Sequence, residues 1–109
     1  MNKEQVKFIH LRYRHVMDDS IDPKGGATIA FLREKDAVHY AFTECNYQDT
    51  FYKKRGRIQA GGRLNSKNYR LTLPCPSELT LKEVIQNLKE AYLEYKSEFN
   101  PHIRDFLGR

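Results

Sequence analysis

The sequence predicts an α+β fold: a small antiparallel sheet of four to five strands packed by two helices, the longer one C-terminal, in a chain that is oligomeric. Three observations carry this. Residues 6–14 alternate with a period of two among aromatic and β-branched members, and "ATIAFL" and "AVHYAFT" flank the charged turn "REKD" as two further strand-like runs. From Thr80 the apolar series Leu81, Val84, Ile85, Leu88, Ala91, Tyr92, Tyr95 and Phe99 keeps helical spacing for about twenty residues.

The elements follow in order. Strands near residues 6–14, 27–32 and 37–43 form a meander, with residues 17–26 as a loop built on aspartates, Pro23 and the Gly25-Gly26 pair. Asp49 offers an N-cap for a helix over about 49–64, carrying Phe51, Arg55, Ile58 and Leu64, in which Gly56, Gly61 and Gly62 weaken the helical tendency. Residues 69–73 read as a short strand stopped by Pro74 and Pro76. Thr80-x-x-Glu83 is a capping box opening the C-terminal helix, about 80–99, and Pro101 lies beyond its end. The long apolar stripe of that helix needs either the sheet face or a second copy of itself to cover it. The tail, 100–109, keeps Ile103, Phe106 and Leu107 and is expected to dock.

A chain of 109 residues makes one domain with a modest core. The hydrophobic fraction is only 39%, but seven tyrosines and six phenylalanines argue against disorder. The net charge of +5 points to an anionic partner: nucleic acid, a nucleotide, a phosphate-bearing metabolite or an acidic protein surface. Two cysteines, Cys45 and Cys75, make no disulfide scaffold, and no apolar run long enough to span a membrane occurs, so the expected compartment is a reducing cytoplasm.

The chemistry concentrates in "FYKKRGRIQAGGRL", residues 51–64. Lys53, Lys54, Arg55, Arg57 and Arg63 fall within eleven positions without an acid, and three glycines interleave them. Arginine forks and close backbone approach suit phosphate, and the alternative is a solvated basic face. The spacing fits neither a Walker loop nor a dinucleotide fingerprint. "PKGGAT", residues 23–28, could set a lysine and a hydroxyl on a phosphate or serve only as a hairpin turn. His10, His15, His39 and His102 lack zinc-type spacing, and Asp18, Asp19, Asp22 and Asp36 fall in turns, so neither metal, cofactor nor catalytic residues are expected. Tyr92, Tyr95 and Phe99 read as core or dimer interface, and Phe51 as core or as a platform for a base.

Three blocks together, "KGGATIAF" (24–31), "YAFTECNYQDTFYKKRGRIQAGGRL" (40–64) and the C-terminal helix with its tail, resemble the phage-encoded Thoeris anti-defence proteins of the first described type. The most specific element is Cys45-x-x-x-Asp49-x-Phe51-x-Lys53 followed by Gly56-Arg57 and Gly62-Arg63-Leu64. The resemblance implies a sponge that binds cyclic ADP-ribose isomer signals, and in some members cyclic di- or trinucleotides at separate sites, without cleaving them. It implies a homodimer or a hexamer built as a trimer of dimers, working in the host bacterial cytoplasm. Carried across, Arg57 clamps the pyrophosphate, Asp105 and Arg109 complete that pocket, and Phe51 is the candidate aromatic. Lys24 and Thr28 match the positions for cyclic oligonucleotides, although Lys24 stands where some relatives are expected to carry arginine, without its bidentate fork. The rival readings are a small basic nucleic-acid-binding phage protein and a phage inhibitor docking on a host protein.

Overall fold

Side-chain alternation builds the sheet. The computed structural model describes residues 5–13, 18, 20–99 and 106–108. Strands β1 (Lys7–Tyr13), β2 (Lys24–Glu34) and β3 (Ala37–Thr50) form the expected meander, and β4 (Leu71–Pro74) and β5 (Phe106–Gly108) complete a five-stranded sheet in the order β4-β3-β2-β1-β5. Every neighbouring pair is antiparallel. Helix α1 spans Lys53–Leu64 and α2 spans Leu81–Phe99.

The period of two sorts the strands onto two faces, and each face receives one helix. Ile9, Leu11, Ala27, Ile29, Phe31, Val38 and Tyr40 form the main core with Val84, Leu88 and Tyr92 of α2. Ala30, Leu32 and Ala41 turn the other way and pack against Ala60 and Leu64 of α1. The middle of the stripe on α2, at Val84, Leu88 and Tyr92, is therefore covered by the sheet of its own chain, while Leu81 is exposed. Tyr92 is buried edge-on against Phe42, at 5.1 Å between centroids, while Tyr95 stays exposed. The capping box forms as expected, with the Glu83 N–H donating to Thr80 Oγ1 (3.2 Å) and the Thr80 N–H to Glu83 Oε1 (3.2 Å).

Several boundaries differ from expectation. Strand β3 runs on to Thr50, because a register shift between Gly26 (opposite Cys45) and Lys24 (opposite Thr50) lets the strand bulge and resume. Asp49 thus belongs to β3 and does not cap α1. The helix begins at Lys53, after an extended Tyr52 that makes no side-chain cap. Strand β4 starts at Leu71 and includes Pro74 as its last residue rather than stopping before it, which an edge strand allows. Of the tail, Phe106–Gly108 dock as a strand, with Leu107 opposite Arg12 and Gly108 opposite Leu11, while Ile103 lies outside the described residues. The line α1 buries is Gly56, Ala60 and Leu64, and Ile58 is 66% exposed.

Two of the helical glycines, Gly56 and Gly62, differ in what surrounds them. Gly56 crosses directly over Thr28, whose Cβ would lie 3.0 Å from any side chain placed there and whose hydroxyl would lie nearer still. Gly62 meets nothing within 4 Å. Gly62→Ala is therefore expected to stabilise the fold by about 1 kcal/mol, the ordinary helix preference for alanine, read as a higher urea midpoint with an unchanged slope.

Candidate functional site

Helix α1 opens without a cap. Tyr52 is extended (φ −120°, ψ 119°), and no acid occupies the first turn. The first helical bond is Gly56 N–H to Tyr52 O at 3.0 Å, so the N–H groups of Lys53, Lys54 and Arg55 lack intrahelical partners. A helix N-terminus carries a partial positive charge that favours acids. Here the sequence supplies Lys53, Lys54 and Arg55 instead, an arrangement that costs the isolated fold stability and suits an incoming anion.

The flank of α1 facing β1 is cationic over a buried histidine. The period of two places Phe8, His10 and Arg12 on the face that α1 covers. His10 is buried, and its Nδ1 shares a 3.0 Å hydrogen bond with the hydroxyl of Thr28. Burial, and then the charges of Lys53, Arg57 and Arg12, push its pKa down to about 4. Each of those three cations therefore lies near enough to the imidazole to act on it. Arg12 lies over the Phe51 ring with its guanidinium carbon 4.5 Å from the centroid, and its Nη2 donates to Asp22 O at 3.2 Å. Arg12 Nε is buried without a hydrogen-bond partner among the described residues.

Phe51 joins this cluster as its floor. Its ring is only 8% exposed, stands edge-on to His10 at 5.7 Å, and would touch any side chain placed at Gly26. Gly26 has φ +136°, and a Cβ there would also run into the backbone carbonyl of Leu11. Phe51 therefore supports Arg12 and offers little ring face to a ligand.

On the β3 flank a cavity of about 260 Å³ opens beside the first turn. Thr28, Thr43 and Gly56 are among its lining residues, together with Asn46, Asp49, Arg55 and Gln59. The Thr43 hydroxyl donates to Gln59 Oε1 at 3.1 Å. The Cys45 thiol lies 3.5–3.6 Å from the carbonyls of Asn46, Asp49 and Thr50, holding the bulge of β3 closed. Tyr52, 60% exposed, stands at the rim.

The expected site residues thus separate. Arg57 and Phe51 are brought together around His10. Asp105 and Arg109 lie outside the described residues, next in sequence to the strand that pairs with Leu11, Arg12 and Tyr13. Lys24 is exposed at the start of β2, where its N–H donates to Asp22 Oδ1 at 2.9 Å. Thr28 is fully buried under Gly56 with its hydroxyl engaged by His10. Arg12 is not singled out by the sequence reading and His10 is weighed there only as a zinc ligand, although their spacing in a strand puts them on one face. Among the described residues no cluster of His, Cys, Asp and Glu could hold a metal, and no helix is long and apolar enough to cross a membrane.

The buried neutral His10 makes stability depend on pH. Unfolded, it titrates near 6.5; folded, near 4. Between these values the unfolded chain binds more protons, so this contribution is complete above pH 6.5 and is lost as pH falls toward 4. Urea midpoints for the wild type should fall across that window, and His10→Gln should flatten the decline. Compared with protein-family models, with curated proteins and with solved structures, the chain matches none.

Proposed function

We propose that the protein is a phage anti-defence sponge that binds a cyclic ADP-ribose isomer intact and withholds it from a Thoeris-type immune pathway in the bacterial cytoplasm. The observation that carries this reading is the uncapped start of α1, where free N–H donors, Lys53 and Arg57 meet without an acid in the first turn. A pyrophosphate fits such a place, because bidentate arginine contacts and a helix N-terminus both act on paired phosphate oxygens. Arg57 is its principal clamp, with Lys53 beside it. Arg12 holds the wall of the site, and Tyr52 is the aromatic open to a base.

The resemblance of residues 24–31 and 40–64 to the anti-defence family supplies the ligand class and assigns Asp105 and Arg109 to the same pocket. It also supplies the dimer or trimer of dimers, and cyclic di- or trinucleotides as second ligands near Lys24. The engagement of Thr28 with His10 weakens its part in that second site. Binding without cleavage suits the cluster, since its one histidine is buried and bonded to Thr28.

A nucleic-acid reading rests on the same cations. Titration calorimetry against cyclic ADP-ribose isomers and a single-stranded oligonucleotide, repeated across salt, separates the two. The sponge predicts saturable binding of the small ligand with a shallow salt slope, whereas a polyanion loses roughly 0.7–0.9 log units of affinity per phosphate contact for each tenfold rise in salt. Absence of saturable binding to any cyclic ADP-ribose isomer or cyclic nucleotide rejects the sponge.

A further inference from the structure

The outward side of α1 has no partner among the described residues. Gly56, Ala60 and Leu64 face the sheet, the charges of Lys53 and Arg57 act on His10, and Gln59 is bonded to Thr43. Lys54, Arg55, Ile58, Gly61, Gly62 and Arg63 remain. Ile58 is the most exposed of the large apolar side chains described, and three shallow depressions of about 340, 480 and 530 Å³ all include it in their walls. Tyr69, 59% exposed, borders one of them. Arg63 is set beside it, with its guanidinium carbon 5.4 Å from the ring centroid and Nη1 donating to Phe42 O at 2.9 Å.

The glycine pair is not required by the fold. A side chain at Gly62 would meet nothing within 4 Å, and one at Gly61 would make only ordinary contact with the Phe8 ring at 3.9 Å. Alanine would fit both places and favour the helix. What glycine provides is a bare backbone that another segment can approach closely from outside.

Charge selects the occupant. Lys54, Arg55 and Arg63 line the depressions that include Ile58, α1 has no acid, and none of these cations is paired with a carboxylate among the described residues. A second copy presenting the same face would bring like charges together. A phosphate backbone gains nothing from the isoleucine at the centre. An acidic protein segment with an apolar stripe matches both features, and a helix is the form that beds an apolar face into a shallow groove.

We propose that the outer face of α1, centred on Ile58 and the bare backbone at Gly61 and Gly62, docks an acidic amphipathic helix of a partner protein. Its carboxylates meet Lys54, Arg55 and Arg63 while its apolar residues settle on Ile58 and beside Tyr69.

The test uses the full chain and three probes: a synthetic helical peptide with leucines on one face and glutamates on the other, the same peptide with lysines for glutamates, and a single-stranded oligothymidine. The glutamate peptide should bind saturably and shift the amide signals of Ile58, Gly61, Gly62 and Tyr69. Ile58→Asp should weaken it about tenfold or more, equivalent to about 1.4 kcal/mol. Gly62→Ala should also weaken it while raising the thermal midpoint, which a loss of folding cannot imitate. Equal or tighter binding of the lysine peptide or the oligonucleotide, shifts confined to other surfaces, self-association through Ile58, or unchanged affinity in both variants would each overturn the proposal.

Discussion

Gly56→Val is expected to lower the unfolding free energy by about 3 kcal/mol, the upper part of the usual range for overpacking a close contact. At this position α1 approaches β2 so closely that the place of a Cβ is already occupied by the Thr28 side chain. Thr28 cannot swing aside, because it is fully buried and its hydroxyl is bonded to His10. The substitution must therefore lift the first turn of α1, or push Thr28 off His10 and strand a buried ring nitrogen. Domains of this kind commonly have only 5–15 kcal/mol in hand, so the urea midpoint should fall visibly. Thr28→Ala in the same chain should recover part of the loss through a favourable coupling term, and strict additivity of the two would contradict the contact.

Arg57→Ala is expected to weaken cyclic ADP-ribose isomer binding by about tenfold to a hundredfold, the effect of removing one charged donor pair from a phosphate. Stability should hardly change, since Arg57 is exposed on α1 and its charge acts against His10 protonation. Arg57→Lys should retain charge yet lose much of the affinity, because a point charge cannot fork across two oxygens. His10 provides an internal reporter. A bound dianion neutralises Lys53, Arg57 and Arg12, so the imidazole pKa should rise from about 4 when ligand is added, by the part those cations hold down. An imidazole titration followed by NMR with and without ligand measures this directly.

Much of the architecture was legible because it rests on periodicity. The alternation of β1 to β3 and the 3.6-residue stripe of α2 fixed the meander, the long helix and the face they share, and Thr80 with Glu83 marked the helix start. The start of α1 was not legible in the same way. Asp49 is a good cap by composition, but the bulge in β3 opposite Gly25 and Gly26 carries the strand past it to Thr50. The helical glycines read as weakness, and only the three-dimensional contact with Thr28 distinguishes Gly56, which cannot be replaced, from Gly62, which can. Burial likewise decides the role of Phe51. Sequence left it poised between stacking platform and core, and the structure places it beneath Arg12 and against His10.

The cationic cluster shows the same division. The run from Lys53 to Arg63 advertises an anion site, yet half of the cluster comes from β1, more than forty residues earlier, and only strand pairing and helix docking bring His10 and Arg12 beneath α1. The tail joins this region by pairing with Leu11 and Arg12, which no local pattern in "IRDFLGR" specified.

The most direct measurement incubates the protein with lysate from cells whose TIR defence is active, re-isolates it, denatures it by heat and identifies the released small molecules by mass spectrometry. The account predicts an intact cyclic ADP-ribose isomer from the wild type and none from Arg57→Ala; release of linear ADP-ribose alone, or of no nucleotide at all, would contradict it.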